Sequence, residues 1–60
     1  MSTTKEFLDS ILSDLTEAQL ANERYHLGKI TRAHRNDIVI NRMEDIEQEA
    51  QQLVTGLLDA

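Results

Sequence analysis

The sequence predicts an all-α protein: an antiparallel hairpin of two helices, the first one long, pairing with a second copy into a four-helix bundle. Three observations predict it. Apolar residues recur at helical spacing along both halves of the chain. The 60 residues contain no Pro and only two Gly, so the punctuation of a turn-rich β fold is missing. Glu, Gln, Leu, Ala and Arg, all good helix formers, are abundant.

The first helix is expected to start at Thr3. Thr3-Thr4-Lys5-Glu6 has capping-box spacing, with the Thr3 hydroxyl serving the Glu6 amide and the Glu6 carboxylate reaching back. Phe7, Leu8, Ile11, Leu12 and Leu15 then form a broad apolar stripe, which Ala18, Asn22 and Tyr25 continue. Leu20 and Leu27 fall on the opposite side. Thr16 with Gln19 offers a second capping box and hence a break or kink near Ser13–Thr16. With no Gly or Pro there, one helix from about residue 4 to 33 is favoured. Gly28 lies inside that span, at a cost of about 1 kcal/mol relative to Ala.

The second helix is expected at about residues 37–58, with Asn36 or Asp37 as its N-cap. Val39, Met43, Ile46, Ala50, Leu53 and Leu57 follow a 4-3-4-3-4 spacing, an a/d seam. Ile40, Val54 and Leu58 broaden it. The connection then falls near His34–Asn36, and so short a link implies antiparallel neighbours. The whole, residues 1–60, reads as a single helical hairpin domain.

So small a chain is hard to stabilise alone, because ordering costs about 1.5 kcal/mol per residue. Without cysteine no disulfide can help. Phe7, Leu8, Leu12, Val54 and Leu58, near the open end of the hairpin, are expected to stay partly wet until a second copy covers them. The residues assigned to core and dimer packing are Phe7, Leu8, Ile11, Leu12, Leu15, Val39, Met43, Ile46, Leu53, Val54 and Leu57. In length, acidity and hairpin pattern the chain resembles the ROP-type dimer of helical hairpins. No motif is shared, so no functional residue carries over.

Composition excludes several functions. Without cysteine there is no thiolate nucleophile or thiolate metal site. No apolar run approaches the roughly 20 residues that cross a bilayer, and MSTTKEF lacks the pattern of a secretory signal. A cytoplasmic location and no membrane partner are expected. No phosphate-cradling glycine loop is present, and a hairpin offers little room for a catalytic pocket. An enzyme is therefore not expected.

Charge is unevenly spread. Residues 1–23 carry Lys5 against Glu6, Asp9, Asp14, Glu17 and Glu23, a net of -4. Residues 24–42 carry Arg24, Lys29, Arg32, Arg35 and Arg42 against Asp37, a net of +4. Residues 43–60 carry Glu44, Asp45, Glu47, Glu49 and Asp59, a net of -5. The hairpin thus has a basic tip and an acidic open end. Placing Arg32, His34 and Arg35 at the end of the first helix would make them partners of its dipole. As a function, Lys29, Arg32, His34 and Arg35 would instead form a tip that contacts anions or nucleic acid. The overall charge of -5 and the lack of interleaved aromatics disfavour general backbone binding.

Glu23 and His26 form an E-x-x-H, the spacing that di-metal carboxylate bundles use. With a turn near residue 35, Glu47 falls level with Glu23, which makes Glu23, His26 and Glu47 a candidate metal set. A surface Glu–His pair and an ion-paired Glu47 explain the same residues, and no cofactor is expected.

The favoured function is a small non-enzymatic protein–protein interaction module: a regulator, inhibitor or adaptor that presents helix faces to an unidentified partner protein. Leu20 and Leu27, with Arg24 between them, are the candidate patch, since Arg is enriched at binding hot spots. One alternative is a ROP-like nucleic-acid-binding regulator using the basic tip. The other is a carboxylate/His metal-binding bundle.

Overall fold

The computed structural model describes residues 3–59. Two helices, α1 (Thr4–His26) and α2 (Arg32–Asp59), pack against each other as a hairpin. At about 1.5 Å per residue they are roughly 34 and 42 Å long, which accounts for the 46 Å long axis. No strand occurs among the described residues.

The start of α1 is the expected capping box. The Thr3 hydroxyl accepts from the Glu6 amide at 3.2 Å, and the Glu6 carboxylate accepts from the Thr3 amide at 3.3 Å. The helix does not break near Ser13–Thr16. The Thr16 hydroxyl donates to the Leu12 carbonyl at 2.9 Å, so it is tied into the preceding turn rather than capping a new helix.

The connection is where the sequence reading fails. It lies at residues 27–31, not at His34–Asn36, and α1 ends at His26 rather than near residue 33. Gly28 has φ of 76°, the left-handed conformation that L side chains avoid and glycine adopts freely. The Gly28 amide donates to the Tyr25 carbonyl at 3.0 Å and the Lys29 amide to the Arg24 carbonyl at 2.9 Å. This pair of bonds is a Schellman motif, which closes a helix end. Gly28 is therefore a stop signal and not a tolerated interior residue.

Helix α2 starts correspondingly early. The Thr31 hydroxyl accepts from the His34 amide at 3.1 Å, and the Thr31 carbonyl accepts from the Arg35 amide at 3.0 Å. Thr31 is the N-cap, and Asn36 and Asp37 lie inside the helix. Arg32, His34 and Arg35 therefore sit at the beginning of a helix, where the dipole opposes them, rather than at the end of one.

Three cross-helix contacts fix the register. Ser10 donates to Glu49 at 2.8 Å, Arg42 faces Asp14 at 3.5 Å, and Arg35 donates to Asn22 at 2.8 Å. The seam on α1 runs through Phe7, Ile11, Asp14, Ala18, Ala21 and Tyr25, all buried or half-buried. Ala18 and Ala21, at 6% and 2% exposure, are the buried hydrophobic residues among those described. Ile38, Val39, Ile46 and Leu53 face them, half-buried, from α2. The small side chains of α1 let the helices approach closely, and the same smallness leaves little apolar area covered.

Candidate interaction surfaces

The hairpin has two unlike sides. On one side Leu15, Ala18 and Asn22 of α1 share an open groove with Arg35, Val39 and Met43 of α2. Helical periodicity extends this side through Leu8 and Leu12 on α1, and through Val54 and Leu57 on α2. These side chains are exposed: Leu12 is 62% accessible, and Leu8, Leu15, Met43, Val54 and Leu57 all exceed 40%. Of the expected packing residues, Phe7, Ile11, Val39, Ile46 and Leu53 lie between the helices. The other six lie on this outer apolar side. Leu8, Leu12, Val54 and Leu58 are wet as expected, while Phe7 is half-buried.

On the other side, Glu17, Leu20 and Arg24 of α1 share a groove with Ile38 and Arg42 of α2. Here Arg42 gathers three carboxylates. Its Nη1 lies 3.5 Å from Asp14 and 3.3 Å from Asp45, and its Nε lies 2.9 Å from Glu17. The Nε–Glu17 approach is an ion pair without a directed hydrogen bond, and one Asp14 oxygen is buried without a partner. Sequence reasoning missed this cluster. Asp14 and Arg42 sit at seam positions of their helices, so the signal was one acid and one base each interrupting an apolar stripe. Leu20 is 44% exposed beside the cluster, and Leu27, one heptad on, is 71% exposed in the connection.

The tip brings the basic residues together around Tyr25. The Arg35 guanidinium carbon sits 4.5 Å from the centre of the Tyr25 ring, a cation–π distance. The Arg32 guanidinium beside the Tyr25 hydroxyl holds that pKa below the usual 10.0, against a smaller upward push from burial, and Arg35 adds to the lowering. The reciprocal effect raises the Arg32 pKa. Arg35 thus holds α1 through Asn22 and the Tyr25 ring, and Lys29 stands exposed between the helices' ends.

The candidate metal set does not come together. With the turn at residues 27–31, Glu47 lies near the level of Ile11, while Glu23 and His26 lie at the tip, about 12 to 15 residues of helix away at ~1.5 Å each. Among the described residues no cluster of three or more His, Asp or Glu is placed to hold a metal ion. No helix among them is long and apolar enough to cross a membrane. In comparisons with known proteins, no family model, curated protein or solved structure matches the chain.

Proposed function

We propose that the chain is a non-enzymatic protein–protein interaction module that works as a homodimeric four-helix bundle. The observation that carries this reading is the one-sided distribution of exposed apolar side chains. Leu8, Leu12, Leu15, Met43, Val54 and Leu57 share a side, and the opposite side holds the charge cluster of Arg42. A surface that gathers most of its large exposed apolar side chains on one face suits a self-complementary two-fold interface. A single hairpin that, among the described residues, buries only two alanines of its hydrophobic residues has little to set against the entropy of ordering.

Pairing through that side leaves Leu20, Arg24 and Leu27 on the outside of the bundle. They form a short ridge with one cation, suited to a partner-protein helix that offers an apolar side chain and a carboxylate. A regulator, inhibitor or adaptor acts through such a ridge.

Light scattering on two charge insertions tests the assignment of faces. Leu12→Glu is expected to give monomers, and Leu20→Glu to leave the dimer intact. A dimer that survives Leu12→Glu contradicts the assignment. For the ridge, affinity capture is expected to yield a partner held by the wild type and released by Leu20→Glu with Leu27→Glu. Capture unchanged by both substitutions overturns it.

A further inference from the structure

The chain carries 11 Asp and Glu against 6 Lys and Arg, yet its bases are not all neutralised. Lys5 pairs with Asp9, and Arg42 gathers Asp14, Glu17 and Asp45. Among the described residues Arg24, Lys29, Arg32 and Arg35 pair with no carboxylate. All four stand at the tip, and residues 24–36 contain no acid. Arg35 is held by Asn22 and Asn36, and Arg32 lies beside the Tyr25 phenol. Neutral groups thus steady both guanidinium groups and leave their charge uncompensated.

Leu27 lies within this set. It is the C-cap of α1 and is 71% exposed. The turn that closes there joins the Lys29 amide to the Arg24 carbonyl at 2.9 Å, so the backbones of two cations flank Leu27. An exposed leucine with cations around it has the make-up of a protein-binding hot spot, an apolar centre inside a polar rim. Nucleic acid fits the tip less well. A phosphate track gains nothing from Leu27. Tyr25 is half-buried with Arg35 against its ring, which leaves bases little platform to stack on. A long polyanion that overran the tip would also meet the acids of residues 1–23 and 43–60.

We propose that the tip docks an acidic segment of a partner protein, with Leu27 as the apolar anchor and Arg24, Lys29 and Arg32 as the rim that takes its carboxylates. The inference rests on the interaction-module reading above and names the chemistry of the partner. It widens the ridge of Leu20, Arg24 and Leu27 from one cation to three on a short surface. A short segment that offers one apolar side chain among several Asp or Glu is its complement. The acidic half of a second copy has the right charge too. Tip against open end is a heterologous contact, however, and such contacts run on into open assemblies unless the rotation closes a ring.

The experiment is an amide chemical-shift titration of the full chain with three probes: a synthetic helix-forming peptide of Leu, Ala and Glu, the same peptide with Gln for Glu, and a short RNA duplex. The expected result is saturable movement of the Leu27, Gly28 and Lys29 amides with the Glu peptide alone. Arg24→Gln with Lys29→Gln is expected to weaken it on the order of tenfold, and added salt to weaken it as well. Both side chains are exposed, so the fold is expected to survive; if the double variant unfolds, the comparison of the two peptides still decides. Equal shifts with the Gln peptide, tighter binding of the RNA, or no shift with any probe overturns the proposal. So does growth beyond a dimer in light scattering that the double variant abolishes, which assigns the tip to a second copy. Failure here leaves the interaction-module reading standing, because that reading is tested by the capture of a partner through Leu20 and Leu27.

Discussion

Asp14 of α1 and Arg42 of α2 meet across the helix interface at 3.5 Å, with the carboxylate side chain 12% exposed and the guanidinium 37% exposed. Arg42 has two further carboxylates, Glu17 and Asp45, within reach, whereas Asp14 has no second cation among the described residues. The pair is therefore unequal. Arg42→Ala strands a largely buried carboxylate and is expected to cost about 2 kcal/mol. Asp14→Ala leaves Arg42 on its outer partners and is expected to cost about 1 kcal/mol, since exposed pairs contribute little. Urea denaturation of both variants, with Asp14→Leu/Arg42→Met as the double variant, measures the difference. The double variant should recover much of the loss, because apolar replacement of a buried pair is often neutral or better.

The single tyrosine of the chain reports on the tip. The Arg32 guanidinium, beside the phenol, lowers the Tyr25 pKa below 10.0. Ultraviolet titration of the phenol should give a midpoint below that of the denatured chain, and Arg32→Gln should move it back up. The depressed value means that the ionised form is favoured in the folded state. Its contribution to stability is present above the unfolded pKa and is lost as pH falls through the folded one. Near neutral pH the phenol is protonated in both states, so no pH dependence of stability is expected there from this group. A folded protein with an ordinary tyrosine midpoint contradicts the contact.

Close approach of the helices depends on Ala21, which is 2% exposed. Ala21→Leu adds three carbons where there is no room and is expected to destabilise by about 1–3 kcal/mol. Leu20→Ala, one residue away and 44% exposed, should change stability by less than about 1 kcal/mol. Denaturation midpoints of the two variants compare them directly. Equal effects would mean that α1 is rotated about its axis from the orientation described.

How far the sequence foretold this arrangement varies along the chain. The start of α1 was legible because a capping box is a local device: Thr3 and Glu6 suffice to write it, and both bonds form. The two-helix hairpin was legible from periodicity. The turn was not, and the reason lies in Gly28 and Thr31. A glycine between helix formers is ambiguous, tolerated inside a helix or placed just past its end, and Leu27 beside it looked like continued apolar pattern. Arg32 and Arg35 would also suit the dipole of a helix C-terminus, so their charge does not mark the true turn.

The seam was half legible. Phe7, Ile11, Ala18 and Tyr25 were expected on the packed face and lie there. Asp14 and Ala21 lie there too, although one is charged and the other small. Two helices in contact need a narrow strip, and small residues bring them closer than a broad leucine face would. The leucines consequently fall to the flank. The expected level of Glu47 with Glu23 depended on the misplaced turn and went with it.

Sedimentation equilibrium of the wild-type chain at micromolar concentrations tests most directly whether the leucine-rich flank is covered by a second copy. The expected result is a particle of twice the 6.9 kDa chain mass, dissociating on dilution with loss of helical structure. A folded monomer of 6.9 kDa that melts cooperatively, at a temperature independent of concentration, contradicts it.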